Sequence, residues 1–599
     1  FYPSAGQLDQ RYNYYTTDGI FVVTLKADET SPFKPESDEE KAGEEKKDEK
    51  IDEKKPAEAK SGEQKAEEKK EEKKEEAVKP IQIDLDGIGN RIVPVPIKPG
   101  ILGGLAVRKD KLFYIDVPQE SRQFVPGVPR PPRNVLHLYD IAKREDKVLL
   151  DGIDGYDLDK EGKKVVYKAG PVYGIVEATP GKAKVGDGKL NLSEMQVKVD
   201  PREEWRQVFH EAWRIERDFY WDPGMTGHDW KKIGARYEAL LPWVAHRSDL
   251  NYLIGEMISE LSTSHTYVGG GDQPDRPRVN VGMLGADFEP DGGRFRISRI
   301  YPGENWSEAT RSPLTEPGLK VKAGDYLIAV NGQETRSDRD VYSYFQDLAG
   351  KLVTLKINSK SAPQGAWEIT VRPANSDAGV RYLDWIDANR RKVEEATGGR
   401  IGYMHVPDTS FQGIIAFDKQ FAAQLDKDGI IVDERDNSGG QIPDFYTEKL
   451  KRQLLAVVAP RDTADVPWPP VAIYGPKVMI VNELAGSGGD AFPWFFRREK
   501  IGAIVGTRTW GGLVGIGNNQ PLRDGGFVTA PGFGFWSTSG GEWIVEQHGV
   551  DPDYLVPQRP DLVVGGHDPQ LEKAIELAKE GLKSYAGIPP RPRYPSVKE

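Results

Sequence analysis

From about residue 400 onward the chain alternates short apolar runs with helical stretches, and this alternation restricts the fold more than any other feature. The strand candidates are 401–406, Gly429-Ile430-Ile431-Val432-Asp433, 478–481 and 502–505. A helix around 413–426 separates the first two, another follows Ser487, and Asp568-Pro569 caps a final one. Such a run folds as an α/β layer structure, with function expected at loops beyond the carboxyl ends of strands. One of these loops is Asn482-Glu483-Leu484-Ala485-Gly486-Ser487-Gly488-Gly489-Asp490. A serine at a strand-to-helix junction faces unpaired backbone N–H groups and the positive end of the helix dipole. A hydrolase holds its nucleophile and oxyanion donors in such a place. A glycine-rich turn with an ordinary serine cap has the same local sequence.

The preceding residues divide by period and composition. Residues 1–199 carry strand-like pieces, among them 19–25, Ile81-Gln82-Ile83-Asp84-Leu85, 111–115, 135–139 and 164–167, with a hairpin corner at 160–163. Repeated short strands of this kind predict a β-sandwich or the last blades of a β-propeller, and loosely recurring Asp, Gly-Lys and hydrophobic-x-Tyr strings favour the propeller. The run 34–79 is almost wholly Lys, Glu, Asp and Ala and predicts a disordered surface insertion, because nothing apolar is available to pack. At Asp200-Pro201-Arg202-Glu203 a helix start signal appears, and three helices are expected before Ser264-His265 and the run Gly269-Gly270-Gly271. Residues 275–373 are β-rich, with a strand and Asn331-Gly332 turn after Leu319, a helix at 337–348 and a strand at 352–357.

Composition narrows the chemistry. A net charge of −12 over 599 residues gives no nucleic-acid footprint. With no cysteine there is no disulfide, thiolate metal site or cysteine nucleophile, which fits a reducing, cytoplasmic setting. No apolar run reaches membrane-spanning length, and no partner membrane is expected. No His-Glu-x-x-His string occurs, so no metal or other cofactor is expected. The opening Phe1-Tyr2-Pro3 reads as mid-domain, so the chain is expected to be the C-terminal part of a longer protein.

A serine nucleophile needs a base, and eight histidines are available. His137 and His405 alternate within strands, His210 lies on a helix, and His228, His246 and His567 occupy polar connections. His265 follows a helix and lies between two hydroxyl residues, where it is either a base or a helix cap. His548 is its competitor. A Ser–Lys arrangement would need a nearby lysine; the stretch 506–517 has none, and Lys500 follows a helix that carries it away.

Four strings resolve the choice by resemblance. Ser264-His265, Asn437-Ser438-Gly439-Gly440, Asn482-Glu483-x-x-Gly486-Ser487 and Val545-Glu546-x-x-Gly549-Val550-x-Pro552-Asp553 together resemble the tricorn protease family of S41-type serine peptidases. The string 324–332 resembles the PDZ signature. The resemblance implies a multidomain α+β/β fold: a partial β-propeller over 1–199, a helical core half over 200–270, a PDZ-like module over 275–373 and an α/β serine-peptidase core over 380–590. It implies Ser487 as nucleophile, His265 as general base, and Glu546 and Ser264 as the groups that orient the imidazole. Backbone N–H groups of Gly488 and of Gly439 or Gly440 would form the oxyanion hole. Gly282, Met283, Leu284 and Gly285 would form a peptide-binding loop. The implied partners are short unfolded peptides and further copies of the same chain, commonly in a hexamer. An esterase or a non-catalytic peptide-binding scaffold is the alternative. A Ser–His mechanism predicts activity lost on acidification around the ordinary histidine value of about 6.5.

Overall fold

The computed structural model describes residues 18–33, 81–117, 134–274, 276–307, 310–517 and 520–595. The charged run 34–79 lies outside the described residues. The chain divides at Leu192 into two compact units.

In the first unit, strands β1 (Leu102–Arg108), β2 (Lys111–Asp116), β3 (Asn134–Asp140) and β4 (Glu145–Ile153) form an antiparallel sheet in chain order. A second sheet holds β5 (Gly155–Leu158), β6 (Lys164–Ala169) and β7 (Val172–Glu177). Its corner falls at the expected 160–163, with Gly162 at φ 68°. Ile81-Gln82-Ile83-Asp84-Leu85 is not a strand: Ile81 and Leu85 are each 75% exposed, and among the described residues the segment joins no sheet, its Asp84 N–H donating singly to Leu25 O. No ring of blades closes among the described residues.

The second unit begins with three helices, α1 (Pro201–Phe219), α2 (Trp230–Glu238) and α3 (Arg247–Ser259). The Asp200 carboxylate caps α1 by accepting from the N–H groups of Arg202 and Glu203, and Pro201 takes the first turn, where no N–H is needed. Val208, Phe209, Ala212 and Ile215 bury the inner face against Leu250, Ile254, Met257 and Ile258.

Within that helical core lies Glu216, fully buried, with neither carboxyl oxygen hydrogen-bonded among the described residues. Burial pushes its pKa up to about 8. The folded state therefore keeps a proton that the unfolded chain releases near the ordinary glutamate value, so stability falls as pH rises between those two values. Glu216→Gln removes the titrating group. It is expected to leave the melting temperature nearly unchanged at pH 5 and to stabilise by about 3 kcal/mol at pH 8. Equal effects at both pH values would contradict this assignment.

A short strand β8 (Tyr267–Gly269) leads into an antiparallel sheet of β9 (Ala286–Asp291), β10 (Arg294–Ile300), β11 (Tyr326–Val330), β12 (Val353–Asn358) and β13 (Trp367–Val371), in that order. Two expectations here need correction. The 337–348 helix shrinks to a single 3-10 turn, Val341–Phe345, capped by Asp340 and stopped where Asp347 turns to φ 56°. The strand after Leu319 starts only at Tyr326, because Lys322 and Asp325 close a turn on each other.

Helix α4 (Ala378–Thr397) then enters the α/β layer. Strands β14 (Ile401–His405), β15 (Gly429–Asp433), β16 (Lys477–Val481) and β17 (Ala503–Gly506) run parallel, joined at the edge by Tyr554–Leu555. Every residue of β14, β15 and β16 is buried, as continuous apolar runs require when both faces of a parallel sheet are covered. One face packs on α5 (Phe411–Ala422), α6 (Pro443–Leu450) and α7 (Gly488–Arg498), and the other on α4 and α8 (Pro569–Ser584). The loops after β14, β15, β16 and β17 all leave the same end of the sheet.

Candidate active site

The loop after β16 brings Ser487 to the first turn of α7, as its sequence predicts. Ser487 has φ 59° and ψ −116°, outside the regions that side chains ordinarily adopt. Its backbone is held there from both sides. Ser487 N–H donates to the Asp490 carboxylate at 2.9 Å, and Gly486 N–H donates to Asn437 O at 3.1 Å. Asp490 is fully buried and also accepts from Thr509 Oγ1, Gly511 N–H and Gly512 N–H. Burial raises its pKa while these donors act in the opposite direction. One carboxylate thus ties the serine turn to the loop after β17. Its position as third residue of the helix is a capping pattern that the sequence reading missed.

The loop after β15 lies directly against this turn. Gly439 has φ 85°, and a Cβ there would come within 2.7 Å of Ser487 Cβ. Gly439 N–H donates to Asn437 Oδ1 at 2.9 Å, which removes it from the candidate oxyanion donors. Gly440 N–H and Gly488 N–H make no hydrogen bond among the described residues. Gly488 holds the first position of α7, where a helix leaves its N–H unpaired.

His265, Ser264 and Glu546 meet although Ser264 and Glu546 are 282 residues apart. Tertiary pairing of the helical region with a late segment brings them together. β8 pairs antiparallel with Phe527–Thr529, Thr529 Oγ1 donates to His265 O at 2.7 Å, and the Arg247 guanidinium is paired with Asp524. Both side chains of that ion pair are buried, so losing one partner would cost about 3–5 kcal/mol.

Ser264 Oγ lies 3.0 Å from His265 Nδ1 and donates to Glu546 Oε2 at 3.0 Å. Glu546 also accepts from Ser264 N–H, Leu513 N–H and Val514 N–H at 2.9, 2.7 and 2.9 Å. An ionised carboxylate only accepts, so the single Ser264 hydroxyl proton goes to Glu546. Ser264 Oγ must then accept from His265 Nδ1–H, which assigns the tautomer and leaves the Nε2 lone pair as the basic site. The hydrogen-bonded chain from Glu546 to the imidazole runs through Ser264. Burial lowers the His265 pKa, and the Glu546 charge partly offsets that. His265 also sits at φ 60°, so both reactive candidates occupy backbone conformations that the surrounding structure must hold.

No hydrogen bond joins the Ser487 hydroxyl to His265 among the described residues. A residue that sequence reading missed, Trp510, touches both the serine turn and the His265 ring. Its backbone N–H donates to Ala485 O, its ring closes on Gly486, and its ring centroid is 5.4 Å from that of His265 in a T-shaped contact. Trp510 also walls an open cavity of about 610 Å³ with Glu483, Arg508 and His548. His548 itself pairs with Asp551 at 2.7 Å on the surface. His405 is buried between Tyr382 OH and Arg435 O, a structural role.

Three family models match in chain order: the Tricorn protease C1 domain over 201–259, the Tricorn protease PDZ domain over 282–376 and Peptidase family S41 over 400–556. The chain is 36% identical over 527 residues to Tricorn protease homolog 1 of Streptomyces coelicolor, covering 85% of this chain and 48% of that protein. It is 32% identical over 510 residues to a tricorn protease homolog of Saccharolobus solfataricus, covering 84% and 46%. The crystal structure of the tricorn protease superposes with a TM-score of 0.73 at 28% identity, over 85% of this chain and 49% of that one. The chain belongs to the tricorn protease family. It spans about half the length of the curated relatives it matches.

The tricorn-type PDZ module does not present its loop as expected. Gly282 N–H donates to Phe345 O at 2.9 Å, and Met283 N–H donates to Ala374 O at 2.8 Å. The Leu284 side chain is buried, and Gly285 O accepts from Tyr301 N–H. Two donors that a bound peptide carboxylate would need are thus spent inside the module. Arg381 of α4 further bonds Asp287 and the Tyr301 hydroxyl beside β9, tying the module to the peptidase core. Among the described residues no helix is long and apolar enough to cross a membrane.

Proposed function

We propose that the chain is a serine peptidase that hydrolyses short, unfolded peptides through an acyl-enzyme on Ser487. The observation that carries this reading is the His265–Ser264–Glu546 relay, which leaves a lone pair on His265 Nε2 in the same core as a strained serine at a helix start. Ser487 Oγ adds to the scissile carbonyl carbon as its proton passes to Nε2, and the carbonyl π pair moves onto oxygen. Gly488 N–H and Gly440 N–H stabilise that oxyanion. Collapse of the intermediate breaks the C–N bond, and the imidazolium returns the proton to the leaving amine. Water, deprotonated by the same nitrogen, then releases the acid and restores Ser487. The hydrogen bond from Ser487 to Nε2 forms in the substrate complex, where catalytic contacts tighten. The antiparallel sheets over 102–177 are read as blades of a β-propeller.

The test is a mixed fluorogenic peptide library assayed with the parent chain and Ser487→Ala. Hydrolysis that survives in the variant overturns the nucleophile, and peptide binding without turnover in the parent favours a scaffold. The pH profile of kcat/KM is a second check. Since only neutral His265 accepts the proton, activity is expected to fall on acidification. Because burial lowers the pKa, the midpoint is expected below the ordinary value of about 6.5. A midpoint above 7 would contradict a buried His265 base.

A further inference from the structure

We infer that the Thr409 hydroxyl is a third donor to the oxyanion formed at Ser487, beside Gly488 N–H and Gly440 N–H. This inference rests on the peptidase reading above. Thr409 lies in the loop after β14, and its backbone brackets the glycine turn. Its N–H donates to Gly439 O at 2.9 Å, and its carbonyl accepts from Ile442 N–H at 3.0 Å. The neighbouring Pro407 O accepts from Ser438 N–H at 3.0 Å. Thr409 therefore moves as one piece with the segment that carries Gly440.

The side chain is fully buried, and Oγ1 has no hydrogen-bond partner among the described residues. A buried hydroxyl without a partner is destabilising, and native structures retain few of them. Its position explains why one is kept here. A Cβ on Gly488 would overlap Thr409 Oγ1 and would come within 2.3 Å of Gly440 O and 2.7 Å of Gly440 N. The hydroxyl and the unspent Gly440 N–H therefore converge on the residue that follows the nucleophile. Glycine at 488 is what lets the two approach. When Oγ of Ser487 adds to the carbonyl carbon and the π pair moves to oxygen, the O–H of Thr409 turns to that oxygen, and no proton is transferred. The partner missing from the resting site is supplied by the transition state, so the interaction accelerates the reaction instead of only binding substrate.

The experiment compares Thr409→Val, which keeps shape and removes the hydroxyl, with Thr409→Ser, which keeps the hydroxyl. Thr409→Val is expected to lower kcat by about 10²-fold with KM within about threefold, and Thr409→Ser to retain most of the activity. A peptidyl trifluoromethyl ketone, whose serine adduct carries the same oxyanion, is expected to lose affinity for Thr409→Val in proportion to kcat. Thr409→Ala is read in the same way if the valine variant does not fold. A folded Thr409→Val with kcat within about threefold of the parent overturns the inference. So does a loss of kcat without loss of ketone affinity, or a serine variant as impaired as the valine. Absence of Ser487-dependent turnover in the parent sinks the peptidase reading and this inference together, whereas an active parent with an unaffected Thr409→Val sinks this inference alone.

Discussion

Ser487→Ala is expected to lower kcat for any cleaved peptide by at least about 10⁴-fold while leaving the fold intact. The hydroxyl makes no hydrogen bond to His265, and the turn is fixed through backbone atoms: Ser487 N–H on Asp490, and Gly486 N–H on Asn437 O. Alanine keeps all of these. The positive φ at 487 is equally strained for alanine, so the stability change is expected to stay below about 1 kcal/mol. Reaction with a fluorophosphonate provides the chemical readout, because only an activated hydroxyl is phosphonylated. The parent should gain one adduct located on Ser487 by peptide mass spectrometry, and the variant none. An adduct on another serine would move the nucleophile elsewhere.

Ser264→Ala is expected to lower kcat by about 10²- to 10³-fold with KM little changed, because it cuts the hydrogen-bonded link between His265 and Glu546. Without Ser264 Oγ, the imidazole loses the acceptor that keeps the proton on Nδ1, and Nε2 is no longer held as the base. The developing imidazolium also loses part of the support of the Glu546 charge. Glu546→Gln is the companion variant. Glu546→Ala would leave the N–H groups of Ser264, Leu513 and Val514 unpaired and confuse chemistry with folding. The amide keeps an acceptor for part of that set and removes the charge. If Glu546 only supports the loop, Glu546→Gln will change stability without changing the acid limb of the pH profile. If it acts through Ser264, that limb moves to lower pH, since the charge that raises the His265 pKa is gone.

Much of this site is local in the sequence. The apolar runs at β14, β15, β16 and β17 specify a sheet buried on both faces, and the turn from 482 to 490 specifies a serine at a helix start. Periodicity also reads α1 to its capping residue, Asp200. Where local signals are weak, the expected elements fail. The 337–348 stretch keeps one turn of helix because Asp340 and Asp347 close it at both ends, and 81–85 has the alternation of a strand but no strand beside it among the described residues. The PDZ-like loop shows the same limit from the other side. Its signature is legible, yet its Gly282 and Met283 N–H groups are taken by carbonyls far along the chain.

The sequence by itself determined the layer architecture, the serine elbow and a short set of possible bases. Backbone sterics, apolar periodicity and capping act over a few residues, so they are written locally. The family resemblance named the groups, and only the tertiary structure shows what brings them into contact. Pairing of β8 with Phe527–Thr529 and the buried Arg247–Asp524 ion pair bring His265 and Ser264 to Glu546. The same folding spends Gly439 N–H on Asn437, leaves Gly440 N–H unspent, and sets an unpartnered Thr409 hydroxyl against Gly488. A hydrogen bond is decided by distances of a few tenths of an ångström, and those distances exist only once the whole core has packed.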